Sequence, residues 1–266
     1  LARLAQARAM GDAFITSHEA WWREFWQRSH LDFPGDDGAH LRHQAAFDLY
    51  RYYLACSADR RREIPVRFLN DVLRYNEQQV TWSLMDITSI ETYQALYGAM
   101  RTGDQSALAS RLEFYVRALP VFRRHSRRRF AHAGSVAPYE TNTWGTWLHW
   151  RGKVDYYTEE RSPYLRYSWQ GNLWMLVLFC DYAMLSDDRQ LIDEGLPAYA
   201  TDVLTFFQQH YPQRRNGRID FTPSEAGETF SGVTDSAELI GALKCLLPRL
   251  LDLGKSRGWN NATLAA

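Results

Sequence analysis

Apolar side chains recur every three or four residues along almost the whole chain, and no stretch alternates long enough to read as a strand of useful length. Phe14, Trp21, Trp22, Phe25 and Trp26 keep this rhythm, as do Leu41, Ala45, Leu49, Tyr52 and Tyr53, so both segments read as amphipathic helices. Between them LDFPGDDGAH turns on Pro34, Gly35 and Gly38. The same spacing predicts helices over about 66–79, 88–101, 105–126, 166–185, 188–210 and 235–254. The expected class is all-α, and 266 residues suffice for one large domain or two small ones.

An internal echo points to how such helices are stacked. Ala99–Leu108 (AMRTGDQSAL) aligns with Ala183–Ile192 (AMLSDDRQLI), each ending one helix and opening the next with an Asp in capping position. The offset of 84 residues equals two units of about 42, the length of a helical hairpin repeated around a ring or solenoid. We therefore expect antiparallel hairpins packed side by side in a single domain spanning 1–266, whole or as a piece of a longer protein.

Charge narrows the choice of partner. Lys+Arg and Asp+Glu are both 31, so nothing draws the chain as a whole toward nucleic acid or an anionic membrane. The longest apolar run, Leu173–Phe179, is too short to span a bilayer, and no membrane insertion is expected. Cys56, Cys180 and Cys245 are far apart in apolar runs and read as buried thiols. The chain begins at Leu1, which fits removal of a leader or preceding domain. Compartment stays open: periplasmic or secreted if a leader has gone, cytoplasmic otherwise. The 10 Trp and 15 Tyr offer flat faces with polar edges, suited to sugar rings, although a large helical core also absorbs many of them.

Two stretches break the helical pattern, 130–165 and 212–234, and loops of that length are where a site is expected. The first places Glu140 among Tyr139, Trp144, Trp147 and Trp150, with His132 and His149 nearby. Aromatic neighbours strip water from a carboxylate and raise its pKa, as a proton donor requires, so Glu140 is the first candidate acid; capping a helix near Thr143 is its plain alternative. The second holds Glu225 and Glu228 around Gly227, a turn that can aim one acid at a substrate while the other braces it. Glu228 is the favoured catalytic member, and Glu225 is equally readable as a cap after Pro223 and Ser224. Further binding candidates are Asp86 and Glu91 near Trp82, Tyr93 and Tyr97, then Arg166, Trp169 and Gln170 at the opening of a long apolar helix. Trp174 reads as core.

Other chemistries lack their signatures. RRHSRRR at 123–129 has no interleaved aromatics and reads as a solvated face or carboxylate-binding patch rather than a nucleic-acid site. There is no HExxH, GxGxxG, GxxxxGK[ST] or GxSxG, so neither a metal nor a nucleotide cofactor is expected.

The order YETNTWGTW, SPYLRYSWQGNLWMLVLFCDYAMLSDD, LTFFQQHYP, TPSEAGET and DSAELIGALKCLLPRLLDL resembles the catalytic region of six-hairpin glycosidases near glycoside hydrolase family 95, over about Trp82–Leu253. That resemblance, to bacterial relatives of the fucosidase-type enzymes, implies an (α/α)6 toroid, a central sugar pocket and acid/base hydrolysis with inversion. It matches Glu140 to the Glu before Thr and the Trp-Gly pair, and Glu228 to the Glu of the later Glu-Thr. Two departures are IETYQALYGAM, where relatives carry an Asn-containing, Trp-rich segment, and Cys180 or Asp181, where the fucosidase branch carries an acid. The resulting expectation is a glycoside hydrolase without cofactor, acting on oligo- or polysaccharide with Glu140 as acid and Glu228 as base. The competing expectations are a non-catalytic carbohydrate-binding scaffold, and a polysaccharide lyase using Tyr139 with His132 or His149.

Overall fold

A computed structural model describes residues 2–35, 38–57, 87–88, 90–141, 144–146, 167–227 and 230–259. Among them are eight α-helices: α1 (Ala2–Met10), α2 (Asp12–Gln27), α3 (Ala39–Ser57), α4 (Ile90–Arg101), α5 (Gln105–Phe130), α6 (Gln170–Leu185), α7 (Leu196–His210) and α8 (Ala237–Arg257). The described chain is thus mainly helical, and the expected helix over 66–79 lies outside it. α1 was not foreseen.

α6 begins at Gln170, later than the expected 166, whereas α5 is longer than periodicity alone suggests. α5 continues past 126 to Phe130 and runs through Pro120, whose missing N–H removes one helical bond. Packing outweighs that loss: Leu112, Tyr115, Leu119 and Phe122 form a buried face on α5. α8 runs through Pro248 in the same way. The expected 188–210 helix is present and runs unbroken over 189–210, with a π-helical turn over Leu191–Gly195 leading into α7.

Short antiparallel pairs supply the only described strands: β1 (Ile87–Thr88) with β2 (Glu140–Thr141), β3 (Arg214–Arg215) with β4 (Arg218–Ile219), and β5 (Ser224–Ala226) with β6 (Phe230–Val233). At two to four residues each, they are too short to show a period of two in the sequence.

Three residues, 102–104, join α4 to α5, and three, 186–188, join α6 to the helical run that continues into α7, giving two antiparallel hairpins. α4 packs on α6 and α6 on α8, while α5 packs on α7, so the hairpins lie side by side in two layers. α6 is the centre. From Gln170 to Ala183 every residue except Trp174 is buried, as expected of a helix apolar on all sides. Trp174 is half-buried against the core.

The two echoed corners meet, because the Gln105 amide donates to the Leu185 carbonyl. Short corners therefore occupy one end of the array. The opposite end receives the long connections that leave α5 and α7 and return to α6 and α8.

The corners differ in one respect. Asp188 acts as a cap, its carboxylate accepting from Leu191 N–H (3.3 Å) and the Tyr182 hydroxyl (3.2 Å). Asp104 stands at the same position before α5 but makes no side-chain cap bond. It pairs with the buried Arg51, which also donates to the Ser29 and Phe25 carbonyls (2.6 and 3.1 Å) and lies over the Phe25 ring (4.8 Å). An interior guanidinium left without an anion costs more than an unmade cap, so the carboxylate goes to Arg51.

Cys180 is buried as expected, its thiol pushed up to about 12 by burial, whereas Cys56 is exposed and Cys245 half-buried. Cys56 lies near the end of α3, beyond its packed face.

Candidate functional site

The first turn of α6 organises the long-loop end. Asn172 clasps the segment that leaves α5: its Oδ1 accepts from Ala137 N–H (2.8 Å) and the Tyr199 hydroxyl (3.0 Å), and its Nδ2 donates to the Ala137 carbonyl (3.1 Å). Ser135 N–H to the Asp202 carbonyl (2.9 Å) and Val136 N–H to the Ser126 hydroxyl (3.1 Å) complete the docking. The close approach needs Gly134, since a Cβ there would overlap the Phe206 backbone. This strap leads into β2, where Glu140 is in register with Thr88.

The second loop reaches the segment just ahead of that turn. Glu225, on β5 opposite Ser231 of β6, is wholly buried, and its Oε2 accepts the Tyr167 N–H at 2.8 Å. Ser224 ties the hairpin to α8, its hydroxyl donating to the Val233 carbonyl (3.1 Å) and accepting Ser236 N–H (3.3 Å), while Ser236 caps α8 through Leu239 N–H. Gln170 bridges the two helices: its Nε2 donates to Glu238 Oε2 at 3.1 Å. Trp169 donates through Nε1 to the Tyr211 hydroxyl (2.6 Å), which donates to the Pro223 carbonyl (2.8 Å).

Two acceptors here find no donor: Glu225 Oε1 and Gln170 Oε1 are buried without a hydrogen bond. Burial pushes the Glu225 carboxyl up to about 7; the Tyr167 N–H and the Ser231 hydroxyl pull it down, and the Glu238 charge pushes it further up. Glu225 is therefore a carboxyl poised to hold or release a proton near neutrality.

Behind Trp169 lies a wall of rings. Its ring sits 4.7 Å from His210 and 5.4 Å from Phe130, and His132 Nε2 faces His210 Nδ1 at 3.2 Å. Burial, then His132 and Arg129, lowers His210 to about 4, so the His210 ring is neutral at ordinary pH.

Of the sequence candidates, Gln170, Trp169 and Glu225 come together, and the strap bearing Glu140 docks onto the same helix turn. Trp169 is enclosed by Phe130, Phe206 and His210. Trp144 is 74% exposed. Residues 144–146 form a turn and bend and not the first turn of a helix that Glu140 would cap. Glu225 lies in a strand and not at a helix cap. Glu91 is on α4. Asp86, Trp147, Arg166, Glu228, His149 and Trp150 lie outside the described residues.

Sequence reasoning passed over Glu238 and Tyr211. An acid two residues after a helix-capping serine reads as a dipole partner, and only the fold brings it beside Gln170. Asp181, the candidate echo of the fucosidase-branch acid, is eleven residues along α6 from Gln170, roughly 16 Å away. There it faces Arg249 at 3.6 Å, and its carboxyl is raised by burial. The arginine run is partly interior: His125 and Ser126 are buried, and Arg123 pairs with Asp202 at 2.6 Å.

Among the described residues no three His, Cys, Asp or Glu side chains are grouped to hold a metal ion, and no helix is long and apolar enough to cross a membrane. Compared with known protein families and with characterised proteins, the chain matches none.

Proposed function

We propose that the chain is a glycoside hydrolase of the six-hairpin kind, with α4, α6 and α8 as inner helices of an (α/α) ring and its active site at the long-loop end. Glu140 serves as proton donor and Glu228 as the base that activates water, giving inversion when the two carboxyls stand about 6.5–9.5 Å apart. Glu225 braces the hairpin that leads to Glu228 and contributes to sugar binding with Gln170. Asp86, Glu91, Trp144, Trp147, Arg166 and Trp169 complete the proposed sugar-binding set.

The observation that carries this reading is convergence. Two loops separated by some eighty residues, each with a candidate acid, are both tied to the amino end of α6, one by Asn172 in its first turn and the other by the Tyr167–Glu225 contact just ahead of it.

The experiment is product analysis after incubation with a panel of oligosaccharides. A hydrolase yields a new reducing end. An unsaturated product absorbing in the near ultraviolet identifies a lyase instead, and binding without either product identifies a scaffold.

A further inference from the structure

We infer that the β3–β4 hairpin forms a saccharide subsite in which Arg215 and Arg218 hold the carboxylate of an acidic sugar. The inference rests on the hydrolase reading only for the ligand being a saccharide.

The turn between these strands brings the two arginines together. Asn216 (φ 52°) and Gly217 (φ 76°) are both left-handed, as a two-residue hairpin turn of the I′ kind requires. Arg215 is thereby in register with Arg218 across the pair, and directly opposed residues share one face of the hairpin. Like charges so placed repel, a cost that an anion bound between them relieves.

The neighbouring arginine is engaged elsewhere. Arg214 Nη1 donates to the Tyr211, Pro212 and Gln213 carbonyls (3.0, 3.2 and 3.2 Å) at the end of α7. Arg215 is held by two acids through a single nitrogen, Nη2 donating to Asp220 Oδ1 (2.8 Å) and Asp235 Oδ2 (3.1 Å). Its Nε and Nη1 therefore keep N–H donors that neither acid uses. Arg218 is exposed and makes no ion pair among the described residues.

Both guanidinium groups can be reached. With Asn216, Ile219 and Asp235 they line a hollow of about 460 Å³ that is open to solvent. Among the described residues nothing lies within 4 Å of a Cβ added at Gly217, so the tip of the hairpin is uncovered. A ligand enters without any rearrangement of the chain.

The lining fits a sugar acid. A guanidinium fork meets a carboxylate through two parallel hydrogen bonds. The Asn216 amide can donate to and accept from ring hydroxyls, Asp235 can accept from them, and the half-buried Ile219 offers apolar surface to ring C–H groups. Two arginines against Asp235 leave the lining one positive charge, enough for one carboxylate. No aromatic ring is among these lining residues, so a nucleic-acid strand would find phosphate contacts but no base stacking. The hollow belongs to the long-loop end: β4 leads through Phe221, which packs on Tyr211 (5.1 Å), into β5 and Glu225.

The test is calorimetric titration of the whole chain near neutral pH, where sugar carboxylates are ionised, with a galacturonate trisaccharide, the galactose trisaccharide of the same linkage, and inorganic phosphate. The acidic trisaccharide is expected to bind about fivefold or more tightly than the neutral one at low salt, with the difference shrinking as salt is added. Arg218→Gln, on an exposed strand and with an unchanged thermal midpoint, is expected to lose that preference. Arg189→Gln, exposed at the short-corner end, is expected to keep it. Equal affinities for the two sugars, absence of saccharide binding, or a preference that survives Arg218→Gln overturns the inference. So does an equal loss in Arg189→Gln, which marks general charge attraction, or phosphate binding as tightly as the acidic sugar, which marks an oxyanion site without sugar recognition. Reducing-end assays on the same mixtures separate the two readings: acid-selective binding without hydrolysis sinks the hydrolase alone, and hydrolysis without acid preference sinks the hairpin subsite alone.

Discussion

Arg51 Nε meets Asp104 Oδ2 at 2.5 Å and Arg51 Nη2 meets Asp104 Oδ1 at 3.0 Å, a bidentate pair buried across 53 residues of sequence. It fastens α3, and through the Phe25 and Ser29 carbonyls the end of α2, to the corner between α4 and α5, where an ordinary capping Asp would serve α5 alone. Replacing Asp104 by Ser keeps capping ability and removes the charge. Asp104→Ser is expected to cost about 3 kcal/mol or more, because Arg51 is left buried and unpaired. Asp188→Ser, at the echoed corner where the carboxylate does cap, is expected to cost less than about 1 kcal/mol. Urea denaturation of the two variants checks this; equal losses would mean that Asp104 is only a cap.

Gly134 has φ +81° and lies against the backbone of α7, with the Phe206 Cα 2.6 Å and the Asp202 carbonyl oxygen 2.7 Å from any added Cβ. Gly134→Ala combines a left-handed conformation with contact against immovable backbone, so a loss of about 3 kcal/mol is expected. The strap over 135–141 would lift from Asn172. The readout is the thermal midpoint together with faster amide exchange at Ser135 and Ala137, and unchanged exchange there would rule the strap out as the seat of the effect.

Glu225 gives stability a pH dependence of known sign. Its folded carboxyl is raised to about 7 from an ordinary 4.5, so between those values the folded state holds the proton more tightly than the unfolded chain. Its contribution is complete below about pH 4.5, declines as pH rises and is gone above about 7, a span on the order of 3 kcal/mol. Glu225→Gln removes that decline. Thermal midpoints from pH 4.5 to 7.5 should converge at the acid end and separate at neutral pH, with the variant the more stable; parallel curves would show that the carboxyl titrates normally.

How much of this could be read beforehand follows from what each signal depends on. Helical class, the hairpin corners and the burial of α6 depend on local spacing and were legible, down to the echo whose corners meet through Gln105 and Leu185. Asp104 was legible as a cap by position, but its partner Arg51 is reached only through tertiary packing. The environment of Glu225 depends on Tyr167, Ser231 and Glu238, which are distant or unremarkable in sequence, so a capping role looked as good. Trp144 illustrates the converse: neighbours in sequence suggested an aromatic wall, and the side chain faces solvent.

His210 works in the opposite direction to Glu225. Burial lowers it to about 4 from 6.5, so between those values the unfolded chain binds the extra proton and stability falls as pH falls. His210→Phe keeps the stacking on Phe206 (5.0 Å) and removes the titration. The variant should gain on the wild type as pH drops from about 6.5 toward 4, with coincident stabilities at pH 7.5. A variant that loses stability equally at every pH would show instead that His210 matters mainly through its hydrogen bond with His132.

The catalytic assignment makes the sharpest demand. A donor and a base that act only in the transition state lower turnover when neutralised but leave the fold and ground-state binding largely alone. Glu140→Gln and Glu228→Gln are each expected to reduce turnover about a hundredfold or more at unchanged thermal midpoint. Glu225→Gln, which keeps an acceptor for the Tyr167 N–H, is expected to act chiefly on KM and on the alkaline limb of stability. If Glu225→Gln alone abolishes turnover while Glu140→Gln retains it, the proton donor is the buried carboxyl on β5 and the roles assigned to the two loops are exchanged.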